Sequence, residues 1–213
     1  FIQVGNAART GVALLQANGT LDASFNPGSG ITGSSVSVVL RQPDGKFLVA
    51  GTFAGYNNDA RRCIARVNAD GRLDETFNPG FGPDLPILAM ALDANGKVLI
   101  AGNFTDLNGT FRVRVARLNT DGSVDTSFDS FNSTSSGANN TVNAIAVTPA
   151  GKILIGGTFT TFQNVTRNRI AQLNSDGSLD TFYPAGGANS TVNAIMVLPT
   201  GKILVAGLFS TLG

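Results

Sequence analysis

Apolar positions along this chain come in runs of four to eight residues, separated by short polar stretches rich in Gly, Asn and Asp. Runs of that length bounded by turn residues predict β-strands, because an amphipathic helix needs a longer stretch with a 3.6-residue period. The clearest unit is Thr141–Pro184. Within it Val142–Val147 reads as a first strand whose apolar residues point both ways, as in a strand covered on both faces. Pro149-Ala150-Gly151-Lys152 is a tight turn. Lys152–Gly157 is a second strand, and Thr158–Asn168 reads as a polar loop. Arg169–Asn174 is a third strand, Ser175-Asp176-Gly177 a hairpin turn, and Ser178–Phe182 a short, more polar outer strand.

The same pattern recurs along the chain. A Gly-x-Phe anchor falls at Gly51-Thr52-Phe53, Gly102-Asn103-Phe104, Gly157-Thr158-Phe159 and Gly207-Leu208-Phe209. A period of about 50 residues built from short strands and turns predicts an all-β chain, a β-propeller of four-stranded antiparallel blades. The expected organisation is a single propeller domain over residues 1–213: a half-blade at 1–33, blades at 34–84, 85–140 and 141–190, and a half-blade at 191–213. The two halves match in strand content. This predicts closure as a four-bladed ring, with Thr10–Ala17 pairing with Gly201–Leu208 of the same chain. The alternative is a larger array completed by other chains or further repeats, since Phe209–Gly213 (FSTLG) duplicates Phe1–Gly5 (FIQVG). The segment Asp129–Asn140 is an insertion whose Ser, Asn and Gly content predicts a mobile surface loop.

Several other residues recur in phase: the Gly-Lys pairs ending at Lys46, Lys97, Lys152 and Lys202; Arg9, Arg61, Arg112 and Arg167; Asp22, Asp74, Asp125 and Asp180; Phe25, Phe77, Phe128 and Phe182. The segments RIAQLNSDGSLDTF, RCIARVNADGRLDETFNPG and VRVARLNTDGSVDTSF carry these anchors. Each follows a Gly-Lys strand and resembles the delta-60 repeats of bacterial proteins, over essentially the whole chain. That resemblance implies a β-propeller from a large secreted or surface protein, with no catalytic residue and no cofactor to carry over.

Composition narrows the function. The net charge is +1 and charged residues are 14% of the 213, with no basic stripe, so nucleic acid is not the expected partner. No apolar run reaches the ~18 residues of a membrane helix, so no membrane insertion is expected. His is absent, which excludes Ser/His/Asp and His-based zinc chemistry, and Cys63 has no base to activate it. The carboxylate pairs Asp70/Asp74, Asp121/Asp125 and Asp176/Asp180 present oxygens of the kind calcium takes. A motif repeated in every unit more commonly serves the blade, the first Asp capping its turn and the second pairing with a repeated Arg. The repeated Arg reads as a clamp on Asp or carbonyl oxygens, and the repeated Phe as packing between blades. The Asn-x-Ser/Thr triplets read as products of an Asn- and Thr-rich surface.

In a propeller the links between strands two and three and between blades lie on one face. Here those links vary in sequence, whereas the Gly-Lys turns are uniform. Variation on one face predicts recognition there. The expected ligand-binding residues are Tyr56, Asn58, Phe111, Phe162 and Asn164, binding a protein or a glycan. No catalytic residue, metal or cofactor is expected. The expected function is a non-enzymatic, extracellular or cell-surface binding module. A structural spacer in a larger surface protein is the alternative, and a hydrolase using Asp carboxylates is a more distant one. Self-assembly through open blade edges is a further expectation.

Overall fold

A computed structural model describes residues 2–128, 137–181 and 186–213. Among them every regular element is a β-strand. The first unit opens with the hairpin β1 (Gln3–Val4) and β2 (Ala7–Ala8), followed by the linker strand β3 (Ile31–Thr32). The first complete blade has β4 (Val36–Arg41), β5 (Phe47–Gly51), β6 (Gly55–Tyr56), β7 (Asp59–Ala60) and β8 (Ile64–Val67). The second has β9 (Ile87–Leu92), β10 (Val98–Gly102), β11 (Asp106–Leu107), β12 (Thr110–Phe111) and β13 (Val115–Leu118). The third has β14 (Val142–Val147), β15 (Ile153–Gly157), β16 (Thr161–Phe162), β17 (Val165–Thr166) and β18 (Ile170–Leu173). The chain ends with β19 (Val192–Val197) and β20 (Ile203–Gly207).

Each complete blade is an antiparallel sheet, ordered β4-β5-β8, β9-β10-β13 and β14-β15-β18. The fourth strand is reduced to one bridge, Val67↔Leu73, Leu118↔Val124 and Leu173↔Leu179, and Leu15↔Leu21 repeats it in the first unit. The polar residues predicted to form an outer strand leave the ladder after that bridge to enter the Asp-centred turn. The stretch read as the polar loop 158–168 is instead a second, smaller hairpin, β16–β17, with counterparts at β6–β7 and β11–β12. Two consecutive turn residues with positive φ, such as Gln163 (48°) and Asn164 (62°), give it the type I′ geometry that matches strand twist.

The middle strand of each blade is buried on both faces, as its unbroken apolar run predicts. Leu48 and Ala50 pack toward the second blade with Ile87, Met90 and Ile100, while Val49 packs the other way with Val12 and Phe25. Leu99 and Ala101 likewise join the third blade's Ile145, Ile153 and Ile155. The core is therefore a series of layers between blades, and Phe25, Phe77 and Phe128 belong to those layers. Phe182 lies outside the described residues, as do Phe1 and residues 129–136 of the 129–140 insertion.

The predicted pairing of Thr10–Ala17 with Gly201–Leu208 is not formed. Among the described residues β20 pairs only with β19, in a two-stranded sheet. The inner strands touch in the series β4–β9–β14–β19. Closure of a four-bladed ring through that strand pair is corrected: the blades follow one another as an arc with an open sheet edge at β20.

Candidate binding face

The small hairpins and the links between blades are built onto one another. Ile31 and Thr32 of β3 pair with Tyr56 and Gly55. The bridges Pro83↔Leu107, Ala138↔Phe162 and Ala188↔Leu212 repeat this contact. The turn asparagines hold the links from the other side. Asn57 Oδ1 accepts from the Ser29 amide at 3.1 Å, and Asn108 Oδ1 from the Phe81 amide at 3.0 Å. A carboxylate or amide at the end of each link then caps the next hairpin. Asp84 accepts from the amides of Thr105 and Asp106 and from the Thr105 hydroxyl. Asn139 and Asn189 likewise accept through Oδ1 from the amides of Thr160–Thr161 and Ser210–Thr211, while their Nδ2 groups donate to the Thr160 and Ser210 hydroxyls. Burial works against the Asp84 charge, yet these hydrogen bonds outweigh it and lower its pKa.

The five residues expected to bind ligand divide in this frame. Tyr56 and Phe162 are interior, 0% and 1% exposed. The Tyr56 hydroxyl donates to the Gly71 carbonyl at 2.5 Å, and burial pushes its pKa up. Their side chains fill the layer beneath the hairpin, as Leu107 does in the second blade, so the aromatic display expected at these two positions is corrected. Phe111 is half-buried on β12. Asn58 and Asn164 are exposed, and both adopt the positive φ of the hairpin turn, 70° and 62°.

A different aromatic is presented. Phe81 is 85% exposed. It sits between Gly80 and Gly82, both at positive φ, and its amide is held by Asn108. A Cβ on Gly82 would meet the Arg62 carbonyl oxygen at 2.4 Å, so the link is pressed against the end of the first blade's hairpin. Beside it, an open groove of about 290 Å³ at the junction of the first two blades is lined by Thr52, Ala54, Arg62, Asp84 and Leu85. Arg62 donates to the Asp84 carbonyl across this junction. Sequence reasoning missed Phe81. Its signal was a Phe between two glycines, at a position where the first unit has Ser29.

The repeated charges lie elsewhere and serve the blades. Asp70, Asp121 and Asp176 each accept from an amide two residues on, as turn caps. Asp74 and Asp125 pair with Lys46 (2.6 Å) and Lys97 (2.8 Å), and with Arg66 and Arg117 (both 2.7 Å). In the third blade Asp180 pairs with Lys152 at 3.0 Å and takes a hydrogen bond from Gln172. The two carboxylates of each motif thus serve different partners. The arginine paired with the second one is on the third strand, not the repeated hairpin arginine. Arg9, Arg61, Arg112 and Arg167 each donate instead to the carbonyl of the preceding residue. Arg66 and Arg117 also lie over the Phe77 and Phe128 rings, at 4.9 and 4.8 Å. They reach the next blade through the Thr120 and Ser175 carbonyls. Cys63 is buried, and burial raises its thiol pKa.

A family model described as a beta-propeller domain of unknown function, DUF5122, matches residues 1–25, 42–77, 94–128 and 149–182. The chain belongs to the DUF5122 beta-propeller family. The three complete blades match from the first turn to the end of the repeated motif, with the inner strands β4, β9 and β14 outside the matched segments. The DUF5122 chain is also similar in fold to two solved structures. One is described as a "putative gluconolactonase": 17% identical, TM-score 0.51, covering 92% of this chain and 63% of that one. The other is the WD40 beta propeller domain of Doa1: 17% identical, TM-score 0.51, covering 81% of this chain and 47% of that one. This chain therefore spans less than two thirds of either structure. No curated protein matches it. The expected absence of enzymatic activity is corrected by the first of these likenesses. A likeness at this identity shows the fold alone, but the fold is one that a "putative gluconolactonase" shares, so this architecture is no ground for excluding catalysis.

Proposed function

We propose that the hairpin-and-link face of this propeller is a recognition surface for a protein or a glycan, centred on the groove between the first two blades. The observation that carries this reading is Phe81. A large aromatic side chain held almost wholly in solvent offers apolar area and a ring face that a partner can bury. Here the backbone beneath it is fixed by Asn108 and by the close approach of Gly82 to Arg62, so the ring is presented on a rigid support. Rigid aromatic anchors beside hydrogen-bonding side chains suit both protein and sugar surfaces. The test is a glycan array and a surface-protein panel probed with the intact chain, followed by Phe81→Ala and Phe111→Ala. The reading expects Phe81→Ala to weaken the captured ligand at least about tenfold. Full retention of binding in both variants would remove the site from this face.

The units fit the delta-60 repeat pattern through their Gly-Lys, Arg, Asp and Phe anchors, and we assign them to it on that basis. The Ser-, Thr-, Asn- and Gly-rich surface supports an extracellular or cell-surface setting.

A further inference from the structure

One position of the repeat is filled differently in the first blade. The residue just before the third strand donates its amide to the anchor phenylalanine: Cys63 to Phe53, Arg114 to Phe104 and Arg169 to Phe159. All three hold a positive φ, 61° at Cys63 and 65° at the two arginines. The shared backbone sends the three side chains toward the link that follows their blade. Arg114 Nη1 donates to the Ala138 carbonyl at 2.8 Å, and Arg169 Nη1 to the Ala188 carbonyl at 3.1 Å. The bridges Pro83↔Leu107, Ala138↔Phe162 and Ala188↔Leu212 make Pro83 the equivalent of both alanines. No arginine reaches the Pro83 carbonyl. The Cys63 side chain ends at Sγ, and Arg62 donates to the Asp84 carbonyl instead. The groove of about 290 Å³ lies at this junction, with Cys63 in its wall.

The charge changes along with the size. The residue after that carbonyl is Asn139 or Asn189 where an arginine crosses, and Asp84 where Cys63 replaces it. All three cap the next hairpin in the same way. The first junction thus lacks the internal cation and carries an anion. Among the described residues no ion pair reaches the Asp84 carboxylate. Its cap takes three hydrogen bonds, which leaves room for another donor among the roughly four acceptor directions of a carboxylate. Burial acts against the Arg114 charge and Asp84 favours it, but the Arg114 guanidinium is held by the Ala138 carbonyl.

We propose that this groove is a socket for an arginine side chain of a partner protein, which takes the place that Arg114 and Arg169 fill at the other junctions. The inference rests on the reading of this face as a recognition surface, and it commits that surface to a protein ligand. A guanidinium presents a planar fork of donors, so one group can serve the Pro83 carbonyl and the Asp84 carboxylate together. The apolar walls at Ala54, Leu85 and Pro86 suit the methylene stem behind it. Phe81, on the same link, adds exposed apolar area beside the charged anchor.

The probes are N-acetyl-arginine methylamide and its uncharged isostere N-acetyl-citrulline methylamide, titrated into the isotope-labelled chain and followed by amide chemical shifts. The arginine probe is expected to move the signals of Cys63, Asp84 and Leu85 with a dissociation constant on the order of 1 mM. The citrulline probe should bind at least about tenfold more weakly. Cys63→Arg builds an internal arginine into the socket, at a φ that Arg114 and Arg169 already hold, and should abolish the response. Asp84→Asn keeps the cap as Asn139 does and should weaken the arginine probe at least about tenfold. Equal binding of the two probes overturns the proposal. So does a response that survives Cys63→Arg, an unchanged affinity in Asp84→Asn, or no response at about 10 mM arginine probe. The recognition face is tested separately with the ligand that the intact chain captures. A ligand lost in Phe81→Ala but retained in Cys63→Arg, or a captured glycan, removes the socket and leaves the face standing. A ligand lost in Cys63→Arg but retained in Phe81→Ala keeps the socket and removes the Phe81-centred reading.

Discussion

At the scale of single residues, the blade is held by a small set of charged side chains taken out of water. Asp74 is almost fully buried between Lys46 and Arg66. Burial disfavours its charge, but the hydrogen bonds from Lys46, Thr76 and Arg66 outweigh it, and its pKa lies below the ordinary 3.8. Asp125 is held in the same way by Lys97, Ser127 and Arg117. A carboxylate with a lowered folded-state pKa contributes stability that is fully present above its unfolded value and lost as pH falls through the folded one. The chain is therefore expected to lose stability as pH drops below about 4. Asp74→Asn should cost about 3 kcal/mol at neutral pH, because it leaves Arg66 buried without its partner. The same change should flatten the acid limb of a urea-midpoint profile, and an unchanged acid limb would show that this carboxylate is not what titrates. The recurring Asp was legible in sequence as a structural residue that serves the blade and pairs with an arginine. Its lysine partner was not, and neither was the identity of the arginine. The eye takes the arginine that recurs in all four units, whereas the one that matters is Arg66 or Arg117, replaced by Gln172 and Leu14 elsewhere. A second prediction concerns Gly82. It holds a φ of +72° with a carbonyl oxygen 2.4 Å from where a Cβ would lie. Gly82→Ala should destabilise by about 1–3 kcal/mol, read as a lower thermal midpoint. Unaltered stability would mean that the link is free to move away from Arg62.

At the scale of elements, the strands of each blade were readable because burial on two faces leaves an uninterrupted apolar run. Val142–Val147 falls where the pattern places it. The Gly-x-Phe anchor was visible as a repeat, but its cause is three-dimensional. The inner strand bulges beside it, with the register shifting between Val36 and Val38 in the first blade and between Val142 and Ala144 in the third. A Cβ on Gly51, Gly102, Gly157 or Gly207 would lie 2.0–2.2 Å from the carbonyl oxygen just before that strand. The small hairpins were hidden. Their strands are two residues long, too short for any period. Asn108-Gly109 in the second blade is a type I′ signal that sequence reasoning passed over, while the other two turns use Asn-Asn and Gln-Asn, where only the φ angles reveal that geometry. This also explains the misplaced aromatics. Tyr56 and Phe162 stand in what reads as an exposed loop, yet the hairpin folds their side chains inward, while Phe81 stands in a link without a period, marked by its two flanking glycines. Packing between blades makes a third prediction. A Cβ on Gly156 would lie 2.5 Å from Val192 and 2.9 Å from Ile195. Gly156→Val should loosen the last half-blade from the third blade and leave the first two unaffected, since each repeat contacts only its neighbours. Hydrogen exchange should then speed up in β19 and β20 while β4, β5 and β8 keep their protection. Uniform acceleration through all blades would contradict this layered account.

At the scale of the whole molecule, the propeller class was legible from the period, and how the ring closes was not. Two half-blades with matching strand content satisfy a sequence reading whether they meet in one chain or across two. Among the described residues the structure does not pair them, since β20 pairs only with β19. The recognition face rests instead on the link that presents Phe81, 85% exposed on a backbone held by Asn108. The most direct measurement is the affinity of Phe81→Ala, against the parent chain, for the ligand the intact chain captures. The account predicts a loss of at least about tenfold with the circular dichroism spectrum unchanged. Full retention of binding would contradict it.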